Sequence, residues 1–141
     1  MGQNRKAWFR DILQKYDRIA VCGSPKSGKT TLVRGVRGHA VIHTDSFMHD
    51  SWESVPHSVI AEVAKMSDPK FIVEGVQAPR TLRKGLKVDA VLWLPGSLAE
   101  LSPRQQGMAK GTRTVLDDWH ATHREVPILV APPIAADDEN E

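Results

Sequence analysis

The sequence has very little cysteine and no long apolar run, and each absence excludes a class of protein. Cys22 is the single cysteine among 141 residues, which excludes an internal disulfide framework and favours a reducing compartment. No apolar run approaches the roughly 18 residues that a membrane span needs. The polar, basic N-terminus also lacks the apolar core of a signal peptide. We therefore expect a cytoplasmic protein with no membrane partner.

Net charge is also small, at +2, but it is unevenly distributed. Residues 1–40 hold nine of the 19 lysines and arginines but only two of the 17 acids. Such a segment fits a polyanion or a phosphorylated ligand, although a solvated basic helix would give the same count. Length and composition predict one domain over residues 1–131, with an N-terminal helix within 1–17, followed by a disordered acidic tail over 132–141.

Short apolar segments alternate along the chain with segments of helical periodicity. Strands are predicted at residues 18–22, 40–43, 70–73, 88–94 and 127–130. Helices are predicted at residues 4–16, 29–37, 57–67, from Ser102 to a stop at Gly111, and 112–123, with a basic turn or short helix over 79–85. This alternation indicates βαβ units, and therefore an α/β fold with a mostly parallel sheet.

The strongest motif is Gly23-Ser-Pro-Lys-Ser-Gly-Lys-Thr30, which matches the phosphate-loop pattern G-x-x-x-x-G-K-[ST] at every fixed position. A buried strand is predicted before it and a helix after it, as the pattern requires. Glycines let the backbone wrap closely around phosphates, and successive N–H groups attract the anion. Lys29 is expected to reach the β- and γ-phosphates of a nucleoside triphosphate, and the Thr30 hydroxyl to bind Mg²⁺.

Motifs that would assign the loop to other nucleotide-hydrolysing classes are missing. GTPases carry an Asp-x-x-Gly switch and an Asn-Lys-x-Asp guanine reader, and the sequence contains neither. Mechanical ATPases usually end a strand with Asp-Glu, whereas the best candidate strand here ends in Glu74 alone, before Gly75. Glu74 is expected to hold Mg²⁺ directly or through water, or to contact the substrate hydroxyl. The alternative is an ordinary surface acid at a strand end.

Asp45 is the candidate base, because it follows the second predicted strand. In open α/β sheets the carboxyl ends of the strands line the ligand crevice. A carboxylate there can accept a proton from an attacking hydroxyl while Lys29 and Mg²⁺ stabilise the phosphoryl group. The alternative is a turn-forming aspartate that hydrogen-bonds its own loop.

The phosphate loop, the Asp45-Ser-Phe sequence and the strand that ends in Glu74-Gly75 together resemble the P-loop nucleoside- and nucleotide-kinase-like family, over about residues 18–113. The Asp-Ser-Phe sequence is most similar to uridine kinase and phosphoribulokinase, in which the aspartate acts as base. The resemblance implies a P-loop NTPase three-layer sandwich with a five-stranded sheet of order 2-3-1-4-5. It also implies an arginine-rich lid after the fourth strand, over residues 102–123.

The expected function is a small Mg²⁺- and ATP-dependent kinase that phosphorylates a hydroxyl of a small molecule, a nucleoside or a nucleic-acid constituent. Lys29, Asp45 and Arg113 are the catalytic candidates, and Thr30 and Glu74 are the metal candidates. The residues expected to bind ATP are Gly23, Ser24, Pro25, Lys26, Ser27, Gly28, Lys29, Thr30, Thr31 and Arg104.

Two other functions remain open at this point. One is a non-kinase ATPase or nucleotide-switch module that acts with a protein or nucleic-acid partner. The other is a polynucleotide or modified-base DNA kinase, which is suggested by Trp52 and by a basic cluster after the third strand. The cluster consists of Arg80, Arg83, Lys84 and Lys87. A solvated basic face would explain these charges equally well.

Overall fold

The computed structural model describes residues 4–47, 51–96 and 98–133. The strands are β1 (Arg18–Gly23), β2 (Ala40–His43), β3 (Phe71–Glu74), β4 (Ala90–Leu94) and β5 (Ile128–Val130). The helices are α1 (Arg5–Lys15), α2 (Lys29–Val33), α3 (Val55–Lys65), α4 (Ala78–Arg83) and α5 (Pro103–Ala121), with 3-10 turns at Thr44–Phe47 and Leu98–Glu100. None of the helices described is long and apolar enough to cross a lipid bilayer. The predicted acidic tail lies outside the described residues, apart from Pro132 and Pro133.

The five strands form one parallel sheet in the order β2-β3-β1-β4-β5. This confirms the α/β alternation and the strand order that the resemblance implies. β1 is central: its Val21 lies beside Glu74 of β3, and its Gly23 beside Leu94 of β4. The connection from β1 to β2 passes β3 towards one edge of the sheet, whereas the connection from β3 to β4 passes β1 towards the other edge. The two connections therefore run in opposite directions along the sheet. A crevice opens at the carboxyl ends of strands at such a point.

Both faces of the sheet are covered by helices, which gives three layers. Successive residues of β1 alternate between the two cores: Ile19 and Val21 pack on the side of α1 and α2, and Ala20 and Cys22 on the side of α3, α4 and α5. All four side chains are fully buried. A central parallel strand that is buried on both faces explains why this segment is continuously apolar instead of alternating with polar residues.

The predicted helix stop at Gly111 is wrong, because α5 is one continuous helix. Its start is as predicted: the Ser102 side chain accepts from the Gln105 N–H, and the Gln105 side chain accepts from the Ser102 N–H. A glycine inside a helix costs about 1 kcal/mol relative to alanine. Buried residues nevertheless continue at helical spacing on both sides of it, namely Ala109, Thr112, Val115, Leu116 and Trp119. The burial of this stripe outweighs the cost of the glycine.

The helix after β1 is shorter than predicted and ends at Val33. Arg34 is already extended, and Gly35 has a φ of 76°. Glycine enters this left-handed region without a side-chain clash, so α2 stops there and not at Gly38. The other strands and helices begin and end within about two residues of their predicted bounds, which is the usual scatter of such assignments.

The carboxyl ends of β2 and β3 meet through Thr44 and Gly75, both of which are buried. Gly75 has a φ of 139°, and a Cβ atom there would overlap the Thr44 hydroxyl. The two chain segments approach each other this closely because residue 75 has no side chain. The contact holds the 3-10 turn that carries Asp45 at the same edge of the sheet as Glu74.

Gly75→Ala should therefore lower the free energy of unfolding by about 3 kcal/mol, since it adds a steric overlap to an unfavourable backbone conformation. Gly85→Ala is the matched control, because Gly85 has a φ of 119° but no atom within 4 Å of the position that a Cβ atom would take. We expect the control to lose only about 1–2 kcal/mol. Urea unfolding followed by tryptophan fluorescence measures both. Equal losses would show that backbone conformation alone requires a glycine at residue 75.

Candidate functional site

Residues 23–30, called the glycine-rich loop below, connect β1 to α2 in a tight turn. Gly28 immediately precedes the helix and has a φ of 91°. Lys26 has a φ of 61° and is the one non-glycine residue with a left-handed backbone among the described residues. Turns of this kind gather successive backbone N–H groups into a concavity that suits an anion. The start of α2 adds the free N–H groups of a helix terminus to the same concavity.

The loop packs directly against the end of β4. A Cβ atom at Gly23 would lie 2.7 Å from the Leu94 carbonyl oxygen and 2.6 Å from Ser27 Oγ. A Cβ atom at Gly96 would lie 2.6 Å from Ser24 Oγ. Both serines are buried. Glycine is therefore required at residue 23, where the loop meets the backbone of Leu94, and a side chain at residue 96 would collide with the buried Ser24 hydroxyl.

Lys29 is folded back into the loop, with 8% of its surface exposed. Its ammonium donates to the Ser24 carbonyl oxygen at 2.7 Å and to Ser27 Oγ at 3.3 Å. Burial lowers the pKa of Lys29, and the negative charge of Glu74 acts in the opposite direction. The ammonium is thus held by neutral acceptors of the loop itself. A phosphate in the loop would offer it charged acceptors, which bind an ammonium more strongly.

Glu74 is almost fully buried at the end of β3, with 2% of its surface exposed. Its Oε1 atom accepts from the Thr30 hydroxyl at 3.4 Å and lies 2.6 Å from His43 Nδ1 at the end of β2. The structure therefore brings the two metal candidates, Thr30 and Glu74, together. It also adds His43, which the sequence did not single out for this position.

The donor atoms of Thr30 and Glu74 suit Mg²⁺, which prefers hard oxygen ligands. The described residues contain no group of three His, Cys, Asp or Glu side chains that could cage a metal ion. Mg²⁺ commonly binds with one or two protein oxygens and takes its other ligands from substrate phosphates and water. A hydroxyl and one buried carboxylate beside a phosphate-sized concavity fit that pattern.

A cleft of about 540 Å³ opens above the loop, a volume typical of small-molecule sites. Asp45 is exposed on one wall of it. Its negative charge acts to raise the pKa of Lys29, more weakly than that of Glu74 does. The cleft is lined by Pro25, Lys26, Ser27, Gly28, Lys29, Thr30, Thr31, Asp45, Trp52, Glu74, Val76 and Met108. Most of the sequence-predicted site residues therefore share one cavity.

Trp52 presents an aromatic surface to the cleft, with 36% of the residue exposed. The Arg80 guanidinium lies 5.3 Å from the centre of its ring, which is within cation–π range. The fully buried Gln77 donates from Nε2 to the Trp52 carbonyl oxygen at 2.9 Å. Two residues around α4 thus fix an aromatic wall of the cleft, although Arg83, Lys84 and Lys87 of the basic cluster do not line it.

The predicted lid arginines do not line the cleft in this structure. Arg104 is exposed near the start of α5. Arg113 lies over Trp93 of β4, 4.9 Å from the ring centre, and its Nε donates to Asp117 Oδ1 at 3.0 Å. Met108 is the one described residue of α5 that reaches the cleft.

Arg113 is nevertheless close to the end of β1. Burial raises the pKa of the Cys22 thiol to about 12, against the opposing effects of the positive charges of Lys29 and Arg113. Two cations therefore lie near Cys22, one at the start of α2 and one on α5. In this structure the guanidinium of Arg113 contacts Trp93 and Asp117 and does not line the cleft.

Gln77 and Arg5 shape the site and were missed from the sequence, and the contact of His43 with Glu74 was not predicted either. His43 ends β2 and Gln77 lies shortly after β3, and polar side chains are common at such positions and carry no specific signal. Arg5 did leave a signal, because it is four residues before Phe9 and seven before Ile12, both of which are buried. That spacing puts a charged residue on the apolar face of α1.

The chain matches none of the known protein-family models, and no curated protein sequence matches it either.

Proposed function

We propose that the protein is a small P-loop kinase that transfers the γ-phosphate of ATP to a hydroxyl group of a small molecule, a nucleoside or a nucleic-acid constituent. The observation that carries the proposal is that Lys29, Thr30, Asp45 and Glu74 surround one cleft at the carboxyl edge of the sheet. The strand order β2-β3-β1-β4-β5 supports it, because that order places the cleft where open α/β sheets bind ligands.

Each residue has a role in this proposal that follows from its surroundings. The loop N–H groups bind the phosphates, and Lys29 exchanges the Ser24 carbonyl oxygen for phosphate oxygens. Thr30 and Glu74 would hold Mg²⁺, which neutralises charge on the transferring phosphate. Asp45 is exposed in the cleft, so it can meet the acceptor and take the hydroxyl proton as the new bond forms.

A non-kinase ATPase or nucleotide switch is the second candidate, and the surroundings of Glu74 favour it. This buried carboxylate is fixed by His43 and lies next to Thr30. A carboxylate in such a position could orient a water molecule instead of an acceptor hydroxyl. A polynucleotide or modified-base DNA kinase is a narrower form of the first proposal, favoured by the exposed Trp52 ring in the cleft.

Transfer of label from [γ-³²P]ATP separates these functions. The acceptors to test are nucleosides, sugars, 5′-hydroxyl DNA and hydroxymethylated DNA. A labelled acceptor supports the kinase, and strong salt dependence of acceptor binding would identify a nucleic acid. Phosphate release that a polymer stimulates, without any labelled acceptor, would support the ATPase and contradict the kinase.

Lys29→Ala should reduce nucleoside-triphosphate turnover by at least about a hundredfold, since it removes the cation aimed at the phosphates. Lys15→Ala is the control, because Lys15 is exposed in the last turn of α1. Steady-state phosphate release measures both variants, with circular dichroism to confirm folding. Wild-type turnover in folded Lys29→Ala would contradict the proposal.

Asp45→Asn should lower the rate of phosphoryl transfer by about 10²–10⁴-fold while ATP affinity changes little, because the amide keeps the shape and loses the proton acceptor. Single-turnover transfer and equilibrium ATP binding give the two quantities separately. Asp118→Asn, at an exposed position of α5, is the control. A loss of ATP affinity with normal transfer from bound ATP would make Asp45 a metal or structural residue.

Arg113 should close on the transferring phosphate when α5 moves over the nucleotide, which requires it to leave Trp93 and Asp117. Arg113→Ala should then slow turnover by about ten- to a thousandfold, whereas Asp117→Asn, which frees the arginine, should not slow it. Hydrogen exchange over residues 102–123 should decrease when a non-hydrolysable ATP analogue is added. Unchanged exchange together with unchanged turnover in Arg113→Ala would leave α5 as a packed, static helix.

A further inference from the structure

Arg5 is the most deeply buried charged side chain of α1, with 4% of its surface exposed. Its guanidinium donates to three backbone carbonyl oxygens in three different segments. Nη1 donates to Ser27 at 2.6 Å, Nη2 to Pro95 at 3.0 Å and Nε to Pro132 at 2.7 Å. These carbonyls belong to the glycine-rich loop, the segment after β4 and the segment after β5. One side chain from outside the sheet therefore connects three of the segments at its carboxyl edge.

The contact with Ser27 bears directly on the phosphate concavity. In a trans peptide the carbonyl and the following N–H point in opposite directions. Arg5 holds the Ser27 carbonyl, so it also fixes the direction of the Gly28 N–H, which belongs to the next residue. Gly28 has a left-handed backbone, and a glycine offers little steric resistance to rotation about φ, so the direction of the Ser27–Gly28 peptide depends on such a restraint. Ser27 and Gly28 line the cleft, whereas Arg5 does not.

A lysine at residue 5 could not make the same three hydrogen bonds. The guanidinium is planar and presents its N–H groups in fixed, diverging directions, which match three separate acceptors. An ammonium is a compact point charge on a flexible stem, and it would reach one or two of the carbonyls at most. Hydrogen bonds from a charged donor are also roughly twice as strong as neutral ones.

We propose that Arg5 is a positioning residue for the glycine-rich loop, which makes α1 a functional part of the phosphate-binding site. This rests on the proposed function in one respect, namely that the loop binds the phosphates of a nucleotide. Arg5 acts through the Ser27–Gly28 peptide and touches no ligand. Its loss leaves the cleft lining intact but leaves the Gly28 N–H without a fixed direction.

The first experiment measures MgATP affinity by calorimetry in full-length wild type, Arg5→Lys and Arg10→Lys. Arg10 is the matched control, because it lies on the same helix and is exposed. We expect Arg5→Lys to bind at least about tenfold more weakly, the equivalent of one lost charge-assisted hydrogen bond, and Arg10→Lys to bind as wild type. The temperature is kept below the unfolding transition of every variant. Wild-type affinity in folded Arg5→Lys would overturn the proposal.

Chemical rescue separates positioning from general stabilisation. Guanidinium chloride at millimolar concentration is too dilute to unfold the protein. It should restore MgATP affinity to Arg5→Ala, because the free guanidinium ion can donate hydrogen bonds to the same three carbonyl oxygens. Sodium chloride at equal ionic strength should not. Where Arg5→Ala fails to fold, the same comparison is made with Arg5→Ser, whose short side chain also leaves the position of the guanidinium empty. Failure of guanidinium to rescue either folded variant would contradict the assignment.

Hydrogen exchange without nucleotide makes the test independent of the proposed function. Arg5→Lys should speed exchange in a peptide covering residues 24–30 but not in one covering β3. If wild-type protein and Lys29→Ala bind nucleotide equally poorly, the proposed function fails, while faster loop exchange still supports Arg5 as the anchor. If wild type binds, Lys29→Ala does not, and loop exchange in Arg5→Lys is unchanged, the inference about Arg5 alone is wrong.

Discussion

The burial of two opposite charges at the carboxyl edge of the sheet is the constraint on which the rest of the site depends. Lys29 and Glu74 are both more than nine-tenths buried. A buried charge without partners costs several kcal/mol, so each group needs fixed neighbours. The lysine finds them in its own loop, through the Ser24 carbonyl and Ser27 Oγ. The glutamate finds them on the neighbouring segments, in Thr30 and His43.

Those neighbours can be close enough only where the backbone itself is close-packed. Glycine at residues 23 and 96 lets the loop lie against the end of β4, and Gly75 lets the end of β3 lie against Thr44. At these three glycines the segments around the cleft pack so closely that a Cβ atom would not fit. The close-packed strand ends hold the buried side chains of the cleft in place, while Asp45 remains exposed in it.

The sequence predicts the sheet well because its signals are local and periodic. Every strand is a short apolar run between turn residues, and each lies within about two residues of its predicted bounds. The stop predicted at Gly111 failed because a single glycine is a weak signal against a buried stripe from Ala109 to Trp119. The loop was predicted from its motif, and Asp45 and Glu74 from their places at or just after a strand end; the three share one cleft because strand ends meet in a parallel sheet. The contact of His43 with Glu74 and that of Gln77 with Trp52 were not predicted, because contacts between distant segments leave no periodic trace.

α1 is needed to cover one face of the sheet because α2 is short. A helix of five residues is only about 7.5 Å long, too short to cover one face of a five-stranded sheet. Phe9 and Ile12 of α1 cover the part that α2 leaves open, packing in the same core as Ile19 and Val21. The same helical spacing that buries these two side chains carries Arg5 to the carboxyl edge, one turn further towards the N-terminus. The hydrophobic contact that completes the core therefore also sets the position of the guanidinium, so that the packing of α1 and the geometry of the loop are coupled through one helix face.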